Sequence, residues 1–159
     1  MAGRSAGLLM YRVREGVIQV FLAHPGGPFF AKKDDGAWTV PKGEYGEFED
    51  PLQAAIREFR EETGLSEPAD EAMLIPLGSV MQKNGKHVTA WAFEASASCA
   101  EVPVTHSNEF EMEWPPRSGK KKSFPEVDRG EFIEIHEAVK KINPAQAAFL
   151  ERLPLALTS

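Results

Sequence analysis

Apolar residues gather first at 5–13 (SAGLLMYRV) and 17–24 (VIQVFLAH), with Glu15-Gly16 between them, a pattern that predicts two paired strands. Residues 25–37 (PGGPFFAKKDDGA) mix glycine, proline and charge and read as a functional loop. Trp38-Thr39-Val40 is a short extended piece stopped by Pro41. Segments 73–83 and 87–95 read as a hairpin around Asn84-Gly85, a pair suited to a tight turn. Residues 97–130 read as irregular, apart from a candidate strand at 109–114 before Pro115-Pro116. A last strand is expected at 131–135, then two short helices at 136–142 and 145–153 divided by Pro144. Strands thus precede, flank and follow one strong helix at 51–63, which predicts an α/β fold: a mixed sheet with helices packed on it.

The boundaries of that helix are written into the sequence. Asp50 suits the N-cap, Pro51 the first helical position, and Gln53 the place where a capping box takes Glu or Gln. Gly64 suits the left-handed residue that closes a helix. At 100° per residue, Leu52, Ile56, Phe59 and Thr63 share the side expected to face the core. Glu58, Glu61 and Glu62 share the opposite side, with the small Ala54 and Ala55 beside them. Glu58 then meets Glu61 and Glu62 at i+3 and i+4, and each like-charge pair costs about 0.2–0.5 kcal/mol. A hard divalent cation such as Mg²⁺ would remove that repulsion and use the oxygens. A solvated acidic face balanced by Arg57 and Arg60 accounts for the same three residues.

Composition narrows the class. The chain has 159 residues, 42 % hydrophobic and 26 % charged, as expected of one soluble globular domain over 1–159. No apolar run approaches the roughly 20 residues that span a bilayer, and the N-terminus lacks a secretory signal pattern. Cys99 is the single cysteine, which excludes an internal disulfide or a multi-cysteine metal site and fits a cytoplasmic location. The net charge of −6 argues against nucleic acid or an anionic membrane as partner. It leaves room for a small anionic substrate where acidic groups hold metal cations.

The stretch from Gly43 to Leu65, GEYGEFEDPLQAAIREFREETGL, resembles the Nudix box. That pattern is Gly, five residues, Glu, seven residues, Arg-Glu, an apolar residue, any residue, Glu-Glu, any residue, Gly and an apolar residue. Gly43, Glu49, Arg57, Glu58, Phe59, Glu61, Glu62, Gly64 and Leu65 match every fixed position. The resemblance implies a Nudix-type α/β/α sandwich in which the box forms a loop–helix–loop. The strands from Ser5 to His24 and the approach Trp38-Thr39-Val40-Pro41-Lys42-Gly43 also look like this family. The loop HPGGPFFAKKDDGAW and the later WPPRSGKKKSFPEVDR look like a bacterial subgroup of predicted nucleotide pyrophosphohydrolases, with no settled substrate.

By that resemblance Glu58, Glu61 and Glu62 are the expected metal ligands, for Mg²⁺ with Mn²⁺ as a substitute, and the carbonyl near Lys42-Gly43 is a further candidate. Arg57 and Glu49 are expected to hold loop and helix in register through an ion pair. Family members take their general base from the box or from a downstream loop, so Glu61, Glu62, Glu58 and Glu126 are the catalytic candidates. Lys32, Lys33 and Lys42 are candidate phosphate contacts on the loop side, and Arg117 and Lys121, with Lys120 and Lys122, form the densest basic cluster. Phe29, Phe30 and Trp114 suit either a stack on a base or loop anchors. Glu109, Glu111 and Glu113 would share one strand face. His24, His87, His106 and His136 show no metal-ligand spacing.

The implied activity is Mg²⁺-dependent cleavage of a diphosphate linkage in a nucleoside diphosphate derivative. Dinucleoside polyphosphates, nucleoside triphosphates, nucleotide sugars and inositol polyphosphates are all open, and the basic loop favours a substrate with several phosphates such as a dinucleoside polyphosphate. The protein is expected to work as a monomer or homodimer. A nucleotide-sensing module without catalysis is the alternative, disfavoured by the intact set of box glutamates. A calcium loop at Asp34-Asp35-Gly36 lacks the alternating ligands and terminal Glu, and no phosphate-cradling Gly-Lys-Ser/Thr loop is present.

Overall fold

A computed structural model describes residues 3–68, 70–96 and 108–158. Two long strands, β1 (Arg4–Arg14) and β2 (Val17–Pro25), form the expected hairpin, with Tyr11 opposite Val20 and Arg14 opposite Val17. Beyond Tyr11 toward its start, β1 leaves β2. The chain 38–44 fills the gap: Thr39 bridges Ala23 of β2, and β3 (Lys42–Glu44) pairs antiparallel with Ser5–Gly7 of β1. On its other edge β1 runs parallel to β5 (His87–Glu94), which pairs antiparallel with β4 (Ile75–Met81). After the hairpin of β6 (Glu109–Glu113) and β7 (Lys121–Pro125), β8 (Val127–Glu134) closes the other side against β2. The main sheet is therefore mixed, in the order β4-β5-β1-β2-β8 with β3 beside β1, and β6-β7 forms a second, two-stranded sheet.

Alternation along β1 divides the core in two. Ala6, Leu8 and Met10 point to the face covered by α1 (Pro51–Thr63), where Ile56, Phe59, Phe21 and Phe93 pack with them. Leu9 and Tyr11 point to the face covered by α2 (Ile135–Lys141) and α3 (Ala147–Leu157), with Ile142, Phe149, Leu150 and Leu153. This is the expected α/β/α sandwich. Phe59 is wholly buried, with ring centroids 6.5 Å from Phe21 and 5.4 Å from Phe93. Truncating such a ring to alanine costs about 3–5 kcal/mol.

The ends of α1 follow the sequence closely. Asp50 is extended and its carboxylate accepts the Gln53 amide at 3.1 Å, while Gly64 closes the helix at φ 73°. The capping box is only half made, because the Gln53 amide group donates to Glu71 at 2.9 Å instead of turning back. The expected division of faces also needs correcting. Ala54, Ala55 and Glu62 are buried, and the solvent side of the helix carries Gln53, Arg57 and Arg60. The apolar arc is wider than the four residues of the simple stripe, so the carboxylate side turns toward β3 rather than into open water.

Three other boundaries differ from the sequence reading. β3 was expected only as an approach, since three residues with a central glycine carry no strand signal of their own. The charged run Lys120–Lys122 reads as loop, yet β7 begins at Lys121 because Glu113 and Met112 pair opposite Lys121 and Lys122. β8 starts at Val127, four residues before the expected 131, which leaves Glu126 as the sole residue between β7 and β8. At the end of the chain a short 3₁₀ turn at Pro144–Gln146 precedes α3, which continues past 153 to Leu157.

Candidate active site

The divergence of β1 and β2 sets up the site. It lets β3 lie against the carboxylate side of α1, so that Lys42 and Gly43 meet Glu58 and Glu62. Gly43 packs so closely on Glu58 that a β-carbon would overlap the Glu58 carboxyl carbon. The residue is glycine because the glutamate occupies the space. The Lys42 amide donates to Glu62 Oε2 at 2.9 Å.

Glu62 is 9 % exposed, and burial pushes its carboxyl up to about 8; Glu58 and Glu126 push the same way, while the Lys42 amide and ammonium oppose. Burial also raises Glu58, against the opposing pull of Arg57, with Glu61 and Glu126 adding to the rise. Burial and then Glu61 raise Glu126. The one downstream carboxylate expected to join the box glutamates does face them.

Glu126 is fixed from both sides. Its carbonyl accepts the Gly26 amide at 2.9 Å, and its amide donates to the Asn108 carbonyl at 2.8 Å. The Asn108 side chain donates to Glu61 Oε2 at 3.3 Å, which ties Glu61 to the same strand junction. Asn108 went unremarked in the sequence, because an Asn beside an irregular stretch gives no signal of its own.

The expected register pair is present. Arg57 Nε and Nη2 donate to the two Glu49 oxygens at 3.1 and 3.2 Å. Arg57 Nη1 also reaches Glu58 at 2.8 Å and Glu61 at 3.5 Å, so one guanidinium spans the loop and two box glutamates. Among the described residues no three His, Cys, Asp or Glu side chains converge as a finished metal-binding group. Glu58 and Glu61 turn toward Arg57, and Glu62 toward the Lys42 amide. The donor chemistry still fits Mg²⁺, since it consists of hard oxygens on carboxylates that repel one another. Gathering around an ion requires Glu58 and Glu61 to rotate away from Arg57.

The basic candidates fall into different settings. Lys42 is partly buried rather than a free surface contact; burial lowers its ammonium pKa, Lys86 lowers it further, and Glu62, Glu44 and Glu58 raise it. Lys86 pairs with Glu44 at 2.7 Å. Lys32 and Lys33 are exposed on the loop after β2, and Arg117 lies at the exposed tip of the β6–β7 hairpin, its amide donating to Glu113 at 2.6 Å. Lys121 is exposed on β7 opposite Glu113. Glu109, Glu111 and Glu113 share the exposed face of β6.

Buried His24 is structural. Its Nδ1 lies 2.8 Å from Asp128 Oδ1 and its Nε2 lies 2.7 Å from the Lys33 carbonyl, so it straps the loop to β8. Asp34 binds Lys141 and accepts from Trp38 Nε1 at 2.8 Å, which ties down the other end of the loop. His87 and His136 are exposed, and His106 and Cys99 lie outside the described residues. A cleft of about 480 Å³ between β8 and α2, lined by Asp34, Trp38, Arg129 and Lys141 among others, contains none of the four glutamates.

A three-layer sandwich whose main helix turns the glutamates of its second half toward a short neighbouring strand defines the architecture of a Nudix protein. The chain belongs to the Nudix hydrolase family: the NUDIX domain matches residues 1–153. It is similar to the RNA pyrophosphohydrolase of Rhizobium meliloti (strain 1021), 29 % identical over 133 residues, covering 76 % of this chain and 72 % of that one. Its fold resembles the Ap4A hydrolase of C. elegans in a binary complex, at a TM-score of 0.63, 23 % identity and 99 % and 98 % coverage. It also resembles the NUDIX domain of Shewanella oneidensis NrtR complexed with ADP ribose, at 0.63, 13 % identity and 99 % and 89 % coverage. Among the described residues, no helix is long and apolar enough to cross a membrane.

Proposed function

We propose that this protein is a Mg²⁺-dependent hydrolase of the cytoplasm, one domain over 1–159, that cleaves a diphosphate linkage in a nucleoside diphosphate derivative. The observation that carries the reading is the placement of Glu58 against Gly43, Glu62 on the Lys42 amide, and Glu61 tied through Asn108 to the Glu126 junction, so that four carboxylates face one region. Burial, with neighbouring carboxylates adding, raises Glu58, Glu62 and Glu126. A fold gains nothing from such a cluster, and a cation-assisted reaction uses it. Glu58, Glu61 and Glu62 would hold Mg²⁺, with the Gly43 carbonyl as a further oxygen. Mg²⁺ supplies charge neutralisation on the diphosphate and a lowered pKa for bound water.

The chain's own residues do the rest. Glu126, fixed between Gly26 and Asn108, takes the proton from the attacking water. Arg57 keeps the box loop on the helix through Glu49. Lys42 holds a phosphate oxygen next to the cleaved linkage, and Lys32, Lys33, Arg117 and Lys121 attract the remaining phosphates. A substrate with several phosphates, a dinucleoside polyphosphate before a nucleoside triphosphate, suits that many cations. Of the two hydrolases similar to this chain, the C. elegans protein is named for Ap4A, a dinucleoside polyphosphate, and the Rhizobium meliloti protein for RNA, which makes RNA the competing substrate.

Turnover of a panel of dinucleoside polyphosphates, nucleoside triphosphates, nucleotide sugars, 5′-triphosphate RNA and inositol polyphosphates with Mg²⁺, products read by mass, tests this. Cleavage at a diphosphate that is lost in Glu62→Gln is the expected result. No cleavage with Mg²⁺ or Mn²⁺, together with a melting temperature raised by a nucleotide, would replace the enzyme with a nucleotide sensor.

A further inference from the structure

We infer that Phe29, beside Trp114, is a stacking platform for the base of the substrate. The inference rests on the hydrolase reading of the neighbouring glutamates. Phe29 is 59 % exposed, and its ring meets Trp114 edge to face at 5.8 Å and 82°. A single exposed Phe is ordinary on a protein surface. This one sits on a segment pinned at both ends.

Before Phe29, the Gly26 amide is bonded to the Glu126 carbonyl, and Gly27 is so close to Phe110 that a β-carbon would lie 2.8 Å from the ring. After it, His24 holds the Lys33 carbonyl at 2.7 Å. The ring is thus presented by fixed backbone, more than half exposed and in edge-to-face contact with Trp114. Stacking on such a ring is tolerant of which base is present, because every base has a π-face. The exposed Lys32, Lys33 and Arg117 lie on the same loop and hairpin tip and would meet phosphates leading away from the base.

The same link sets the platform beside the glutamates. Phe29 follows Gly26 by three residues, and the Gly26 amide is bonded to the Glu126 carbonyl, so the backbone of Phe29 lies no more than about 11 Å from that junction. A base stacked on the ring would lead its phosphates toward Glu126 and the box glutamates.

The test is equilibrium binding, with Mg²⁺, of diadenosine tetraphosphate and of inorganic tetraphosphate to the Glu62→Gln protein, alone and combined with Phe29→Ala or Phe29→Trp. Phe29→Ala is expected to weaken the dinucleotide about tenfold, the range of a lost base–aromatic stack, and to leave inorganic tetraphosphate unchanged. Phe29→Trp is expected to restore the dinucleotide. Equal dinucleotide affinity with and without the ring, parallel loss of both probes, or no dinucleotide binding overturns the platform. Absence of wild-type turnover with ring-dependent binding intact removes the hydrolase reading alone; turnover with ring-independent binding removes the platform alone.

Discussion

Gly43 and Glu58 are fitted to each other: the backbone of β3 lies where a β-carbon would overlap the Glu58 carboxyl carbon. The overlapping atoms are at the end of a side chain that can rotate, so the cost of Gly43→Ala falls on the position of the carboxylate more than on the fold. We expect the variant to fold with a melting temperature within a few degrees of wild type. Its kcat should fall about 100-fold, as a displacement near 1 Å does at a reacting centre. Thermal melts beside steady-state kinetics and Mg²⁺ titration check this, and an active G43A protein would show that Glu58 has no fixed role.

Glu62 makes stability depend on pH when no divalent cation is bound. Its folded-state pKa, pushed up to about 8 by burial, lies above the ordinary 4.5 that it has in the unfolded chain. Between these values the unfolded chain gives up its proton first. Stability should therefore fall as pH rises from about 4.5 to about 8, by on the order of a few kcal/mol, and level off above. Melting curves in EDTA across that window should show the decline, and Glu62→Gln should flatten it. Mg²⁺, which takes the ionised carboxylate, should stabilise the wild type more at pH 8.5 than at 5.5. Glu58 and Glu126, also raised, leave a smaller residual slope, so a flat wild-type profile in EDTA, or a slope undiminished in E62Q, contradicts the assignment.

How much of this was legible beforehand differs from element to element. α1 could be read to the residue because Asp50, Pro51 and Gly64 each act locally, through a cap, a fixed φ and a left-handed closure. The three box glutamates were legible for the same reason, as a pattern confined to one helix and its approach. The burial of Glu62 and Lys42 was not, because it comes from β3, whose partner Ser5–Gly7 lies some 37 residues away in sequence. β7 was hidden by its lysines, whose places opposite Glu113 and Met112 of β6 are set by a pairing that a local window does not display. Asn108 and the straps on His24 are long-range contacts between loops, which no window of sequence displays.

His24 links stability to the loop that carries Lys32, Lys33 and Phe29. Replacing it with alanine removes both side-chain bonds, to Asp128 and to the Lys33 carbonyl, and leaves a hole against Trp38, whose ring centroid is 5.1 Å away. A cost of about 2–4 kcal/mol follows from the lost bonds and the cavity. For a chain of this size that is a drop of about 5–12 °C in melting temperature. The freed loop should also raise KM several-fold with a smaller change in kcat. Calorimetry and kinetics on H24A measure both, and unchanged KM would mean that the loop does not touch substrate.

Glu126 is the sharpest point on which chemistry and structure can be separated. It lies on the surface between β7 and β8, held by main-chain bonds to Gly26 and Asn108 that its side chain does not make. Glu126→Gln keeps those bonds and the side chain's size and removes only the charge and the basicity. A general base contributes about 10²–10⁴-fold, so kcat should fall by that factor while the melting temperature, KM and Mg²⁺ affinity stay near wild type. If Glu126 serves instead as a metal ligand, Mg²⁺ affinity falls with kcat, and excess Mg²⁺ recovers much of the activity. If kcat is unaffected, the proton goes to a glutamate of the box. In that case Glu61, which Asn108 ties to the same strand junction, becomes the residue to replace next.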